Sequence, residues 1–168
     1  TAPGDGGTLT LYRAGPGSQQ PWSDAVTISI RQATHDDLST ARTLLSDAGL
    51  PVDDLAATHL AFVGVADEDV VGVIGFENHG RVGLLRSLVV AEDARAAGLG
   101  RELVAALEAS AREQGIDEIW LLTIDADPFF GALGYQIRGR SSAPPEISAT
   151  AEFTRLCPGD AFLMCKEL

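Results

Sequence analysis

Arg95-Ala96-Ala97-Gly98-Leu99-Gly100-Arg101 places two glycines two positions apart at the start of a helical pattern, with arginines at both ends. Glycines there let backbone N–H groups approach a large anion with no Cβ in the way, and the helix dipole favours negative charge at the same end. The chemistry such a bend serves is diphosphate binding. A dinucleotide fingerprint does not fit, because Leu103 stands where its third glycine belongs, and the Gly-Lys-Ser/Thr of a Walker loop is absent.

Two charged residues interrupt apolar strand patterns upstream of this bend. Arg86 lies within Leu84-Leu85-Arg86-Ser87-Leu88-Val89-Val90, where an ionised guanidinium is costly unless paired. Glu77 is a lone carboxylate ending Val70-Val71-Gly72-Val73-Ile74-Gly75-Phe76. A hairpin closing around His79-Gly80 would put Glu77 opposite Val82 and Val73 opposite Arg86. The two charges would then share a sheet face roughly 13 Å apart, too far for direct contact. Arg86 therefore has two readings: it grips the carboxylate of a small substrate, or it pairs with a helix carboxylate.

The elements that must hold these residues follow from periodicity. Val26 to Ile30 alternates as a strand, and Thr34-His35-Asp36-Asp37 reads as a capping box opening a helix with Leu38, Ala41 and Leu45 on one stripe, ended by Gly49 and Pro51. A short helix is expected over Asp53 to Thr58. Strands Ala61 to Val65, Val70 to Glu77 and Val82 to Val90 then form a meander, joined at Asp67-Glu68-Asp69 and at Asn78-His79-Gly80-Arg81. Their Val, Ile and Leu content predicts burial on both faces. After Gly98 a helix turns Leu99, Leu103, Leu107 and Ala111 inward and Glu102, Arg112 and Glu113 outward, stopping at Gly115. A strand Ile119 to Ile124, a helix Pro128 to Leu133, a strand Tyr135 to Arg138, an excursion through Pro144 and Pro145, and a strand Phe162 to Lys166 complete the order.

This order, with R-x-x-G-x-G after a strand ending Leu88-Val89-Val90, resembles the acetyl-CoA signature of the GNAT family of N-acetyltransferases over residues 26–168. The segments LLRSLVV, FFGALGY and PEISATAEFTRLCPGDAFLMCKEL are similar to a subgroup associated with arsenic resistance, and more loosely to short-form glutamate N-acetyltransferases. The resemblance implies an α/β (α+β) fold with a mixed, mostly antiparallel sheet of about six to seven strands and helices on both faces. It implies acetyl-CoA as cosubstrate and a small-molecule amine as acceptor.

Site residues follow from the same resemblance. The strands ending at Val90 and Ile124 should splay, with the pantetheine arm bonding to backbone at Leu88, Val89 and Val90. Ala96, Ala97, Gly98, Leu99, Gly100 and Arg101 should give N–H bonds to the diphosphate, with charge from Arg95 or Arg101. Ala97 replaces a cation common in the family. Acyl transfer needs a base, oxyanion donors and a donor for the departing sulfur. Glu77 is the expected base, and Leu88 or Val89 N–H the oxyanion donor. Phe129 and Phe130 border the cosubstrate, and Phe130 stands where the family places a tyrosine, leaving Ser87, Thr123 or water for the sulfur. Tyr135 matches a packing aromatic. Thr150, Glu152 and Cys157 lie in the excursion, where an acceptor would be enclosed.

The implied reaction is acetyl transfer to an amino-acid-like substrate, with detoxification as its setting. A glutamate or other amino-acid N-acetyltransferase of biosynthesis, or a non-catalytic acetyl-CoA sensor, would share the same cofactor motif.

Composition narrows the partners. The 168 residues carry 24 acidic and 12 basic side chains, a formal charge of -12, with Lys166 the single lysine. Such a balance argues against nucleic acid and anionic membranes, and resembles proteins that work at high salt. Residues 1–24 are rich in Gly and Pro and read as a flexible tail, with Leu11 and Tyr12 able to pair at a sheet edge; residues 25–168 read as one domain. Cys157 and Cys165 read as thiols, and His35, His59 and His79 lack metal-site spacing. No stretch has the length of a bilayer span, so the expectation is a cytoplasmic protein, with a homodimer compatible.

Overall fold

A computed structural model describes residues 8–13, 24–50, 52–92, 94, 98–156 and 160–168. Its strands are β1 (Thr8–Arg13), β2 (Asp24–Gln32), β3 (Leu60–Ala66), β4 (Asp69–Asn78), β5 (Val82–Val90), β6 (Glu118–Thr123), β7 (Gln136–Arg138) and β8 (Phe162–Glu167). They form one eight-stranded sheet in the order β1-β2-β3-β4-β5-β6-β8-β7. Among the described residues only the β5–β6 pair is parallel. The sheet exceeds the expected six to seven strands partly because Thr8–Arg13, read as tail, pairs antiparallel with β2.

The helices are α1 (Leu38–Asp47), α2 (Leu99–Glu113), α3 (Asp127–Ala132) and α4 (Pro145–Ser148). No helix among the described residues is long and apolar enough to cross a membrane. The entry to α1 is fixed by Asp37, whose carboxylate accepts the Thr34 backbone N–H at 2.7 Å and a bidentate grip from Arg31 at 2.8 and 2.9 Å. Where a helix was expected over Asp53 to Thr58, the chain makes a turn and then a single 3-10 turn, Ala57–His59. Leu55 alone of that stretch is an inward-facing leucine, too little to anchor a helical stripe.

Both faces of the sheet are covered, as the apolar strands require. α2 packs Leu99, Leu103, Leu107 and Ala111 with Ile28, Ile30, Ile74, Phe76 and Leu85 on one face, where Phe130 of α3 joins them. On the other face Ala41 and Leu45 of α1 meet Val63, Val73 and Val89, while Ile147 of α4 meets Leu84, Trp120 and Leu163. Each fully buried Leu or Ile contributes about 1.5–3 kcal/mol of transfer free energy, so the two layers hold the strands firmly wherever pairing ends.

Candidate functional site

The parallel pairing of β5 with β6 stops at Leu84 and Trp120. Its physical reason lies in β5. Gly75 faces Arg86 and Val73 faces Val89, so Ile74 alone spans both Ser87 and Leu88. Ser87 adopts φ +58°, a left-handed conformation uncommon for a residue with a Cβ. This bulge bends β5 away from its neighbour and takes the extra residue out of the ladder. A cleft of about 720 Å³ opens between the two strands.

Leu88, Val89 and Val90 line one wall of the cleft together with Arg86 and Ser87; Thr123 lines the other, followed by Phe129 and Phe130. Ala48, Gly49 and Leu50, just after α1, and Glu152 close the space. The cleft therefore collects half of the anticipated residues, while Gly98, Leu99, Gly100 and Arg101 do not line it. Glu77 does not reach its wall and contacts Arg86 behind it.

The separation of Glu77 from Arg86 requires correction. The turn after β4 is centred one residue later than expected: Asn78 faces Gly83 and the His79 N–H donates to the Val82 carbonyl at 3.0 Å, which leaves Gly80 and Arg81 at the tip. Asn78 Oδ1 accepts the Gly80 N–H at 2.9 Å, a local side-chain turn that helps to set this position. Register moves by two, so Glu77 keeps its face and becomes the diagonal neighbour of Arg86. Arg86 Nη1 donates to Glu77 Oε2 at 2.9 Å.

Arg86 is also not aimed at a substrate. Its side chain is 0% exposed and is enclosed by three carboxylates. Asp54 takes a bidentate bond, Nη1 to Oδ2 at 2.6 Å and Nη2 to Oδ1. Glu152 Oε1 stands 3.4 Å from Nη2, and Nε donates to Ser87 Oγ at 3.2 Å. All the donors of the fork are thus directed at protein groups, which selects the ion-paired reading over the substrate grip. Gly75 allows this: a Cβ there would lie 3.2 Å from Arg86 Cγ and 2.8 Å from the His59 carbonyl. Burial disfavours the charge, but Asp54, Glu152 and Glu77 outweigh it and hold the guanidinium above its usual range. The Arg86 hydrogen bond in turn holds Asp54 below the ordinary carboxylate range.

Two hydroxyls face the cleft with defined bonds. Ser87 Oγ accepts from Arg86, and Thr123 Oγ1 accepts the Ala126 N–H at 3.0 Å, so each keeps its own O–H to donate. Phe130 stacks edge-on against Phe129 at 5.0 Å and Tyr135 at 5.5 Å. Tyr135 is buried, donates to Glu108 at 3.2 Å and has its ionisation pushed up by burial and by that carboxylate. It is a packing residue.

α2 begins after Gly98, which caps it with φ +77°. Leu99 is 0% exposed and packs into the core beneath the helix, and Gly100 lies against Phe129 and Val90. The Arg101 side chain is exposed. Arg95, Ala96 and Ala97 lie outside the described residues, as does Cys157. Thr150 donates to the Ile147 carbonyl at 2.7 Å and accepts from Phe153, shaping the turn that carries Glu152.

Sequence reasoning missed Asp54. A buried arginine demands a carboxylate, but 24 acidic residues leave the choice open until the chain folds.

Comparisons with known proteins agree with this geometry. The profile of the acetyltransferase (GNAT) family matches residues 24–135. An uncharacterised N-acetyltransferase of Chlorobaculum tepidum is 38% identical over 63 residues, 38% of this chain and 40% of the relative. N-acetylglutamate synthase of Neisseria gonorrhoeae, solved with coenzyme A and N-acetyl-glutamate, superimposes with a TM-score of 0.72 at 19% identity, over 84% of this chain and 35% of that one. Rv2747 of Mycobacterium tuberculosis, solved with CoA, gives 0.70 at 19% identity over 83% and 98%. The chain thus spans well under half of the curated relative and of the Neisseria enzyme.

Proposed function

The chain belongs to the acetyltransferase (GNAT) family, and we propose that it transfers the acetyl group of acetyl-CoA to the amine of a small amino-acid-like substrate. One observation carries the reading: the β5 bulge opens a cleft along the edge of β5, and its lining residues Val90 and Phe129 lie against Gly100 at the start of α2.

The residues suit such a cosubstrate. The extended backbone of Leu88 to Val90 can be met by an added, strand-like arm. The first amides of α2 suit a diphosphate, with Gly98 leaving open space above the chain. Acetyl-CoA supplies the acyl thioester. Leu88 or Val89 N–H serves the oxyanion, and the hydroxyl of Thr123 or Ser87 donates to the departing sulfur. A thiolate has a modest proton affinity, so a hydrogen bond there suffices and Phe130 is tolerated. Arg86 acts as a positioning residue for Asp54, Glu77 and Glu152. Glu77 takes up the amine's proton through water, and Glu152 faces the acceptor.

The finer substrate assignment draws on the neighbours. A Neisseria synthase structure contains N-acetyl-glutamate, an acetylated amino acid, which supports an amino-acid acceptor. The resemblance to the arsenic-resistance subgroup favours a toxic amino-acid analogue over glutamate. Release of free thiol from acetyl-CoA across an amine panel tests both: efficient glutamate acetylation would favour biosynthesis. Tight coenzyme A binding with no thiol released under any amine would favour the sensor reading, which Phe130 motivates.

The charge of -12 with one lysine further supports work at high salt in a cytoplasmic setting. Stability rising with potassium chloride is the expected result.

A further inference from the structure

Two facing glycines set the height of the anion-binding end of α2 above the sheet. Gly64 of β3 and Gly72 of β4 are partners in the ladder, and both are buried. Leu99, the first residue of α2, rests in the space they leave. A Cβ on Gly64 would lie 2.8 Å from Leu99 Cδ2, and one on Gly72 would lie 2.9 Å from the same atom and 3.2 Å from Leu103 Cδ1. Ordinary contact begins near 3.4 Å, and Leu99 is fully enclosed, so it has little room to move aside. A side chain at either glycine must lift the first turn of the helix.

The same spot anchors the other end of the loop. Next to Gly72 the β3–β4 register slips, with Gly64 facing Gly72 but Val65 facing Val70, so Val71 is the extra residue. Its carbonyl accepts the N–H of Ala91, the first residue after β5, at 2.7 Å. Ala94 then donates back to Ala91 at 2.9 Å and is buried. The chain therefore leaves β5 on Val71 and re-enters helix on Gly64 and Gly72. Both ends of the diphosphate loop hang from one irregularity in two strands that contribute no residue to the cleft wall.

We propose that Gly64 and Gly72 are positioning residues for the diphosphate end of the cosubstrate, acting through Leu99. This rests on the acetyl-CoA reading above. Its signature is selective: a substitution should weaken recognition of the nucleotide end while leaving the acyl end of the cleft, built on β5 and β6, as it was.

The experiment compares acetyl-CoA with acetyl-pantetheine, which carries the same thioester but no diphosphate. For Gly72→Ala, KM for acetyl-CoA should rise about tenfold, as an overpacked contact of this kind would give, with kcat and the constants for acetyl-pantetheine unchanged. Gly64→Ala, which crowds the same Leu99 from the neighbouring strand, should produce the same selective loss and serves if Gly72→Ala does not fold. Equal losses with both thioesters, or an unchanged KM for acetyl-CoA, would overturn the assignment. Failure of the wild-type protein to bind coenzyme A by calorimetry would instead overturn the acetyl-CoA reading itself.

Discussion

Glu77 and Arg86 are diagonal neighbours across the β4–β5 ladder, joined at 2.9 Å, and Arg86 in the same plane of contacts clamps Asp54 from the turn after α1. One guanidinium thus ties three separate chain segments to the residue before the bulge. Replacing it leaves three carboxylates, each at most one-fifth exposed, without their shared cation. Arg86→Ala should cost about 3 kcal/mol in urea unfolding, in the range for breaking a buried pair. Arg86→Lys should recover only part, because an ammonium lacks the fork. A loss below about 1 kcal/mol for Arg86→Ala would show the cluster to be energetically idle.

Thr123 and Phe130 should respond in opposite directions. Thr123→Val removes one of the two cleft hydroxyls and should lower kcat by about tenfold or more, with little change in KM for acetyl-CoA. Phe130→Tyr, at the position where the family resemblance expects a hydroxyl, should restore turnover in the Thr123→Val background. If Ser87→Ala alone reproduces the loss and Thr123→Val has none, the sulfur is served from β5.

The Arg31–Asp37 pair should contribute stability with a definite pH dependence. The Arg31 hydrogen bonds, helped by the Thr34 N–H and opposed by burial, bring the Asp37 pKa down to about 2. A carboxylate lowered on folding stabilises the native state above its unfolded pKa, near 4, and loses that contribution as pH falls through about 2. Arg31→Gln should therefore destabilise by about 1 kcal/mol at pH 5, discounted because Arg31 is half exposed. The gap between the two proteins should close toward pH 2. A gap that stays constant across that interval would contradict the assignment.

Lys166 offers a cleaner probe, since it is the chain's single lysine. Its Nζ donates to both oxygens of Glu108 at 2.9 and 3.1 Å and to the Leu133 carbonyl at 2.8 Å, while Tyr135 donates to the same carboxylate. Glu108→Ala would strand an ammonium and a buried phenol together. Stability should fall by about 2–4 kcal/mol, and the lone lysine resonance in the NMR spectrum should shift and broaden. An unmoved resonance would mean that the pair does not persist in solution.

Much of this architecture is written locally. The capping box at Thr34 to Asp37, the inward stripe of Leu99, Leu103, Leu107 and Ala111, and the apolar strands beneath it follow from periodicity and short-range hydrogen bonds, which neighbouring residues alone decide. The glycine-flanked helix start was legible for the same reason, whereas the residues of the cleft walls were implied by the family resemblance. Gly64 and Gly72 left a readable trace too, as isolated glycines within strands that imply close approach, but nothing in the sequence says that Leu99 is what approaches.

Tertiary structure decided the rest. A one-residue displacement of one turn, which moves the register by two, converts an expected gap of roughly 13 Å between Glu77 and Arg86 into a hydrogen bond, and no local pattern distinguishes the two registers because both keep the same faces. Asp54 and Glu152 join Arg86 from segments 32 residues before it and 66 residues after it, and only packing brings them there. Ser87 takes its left-handed backbone where β5 must serve β4 on one side and open toward β6 on the other. Residue types thus set which chemistry was available, while long-range contacts, each costing chain entropy that only the assembled core offsets, chose which side chains perform it.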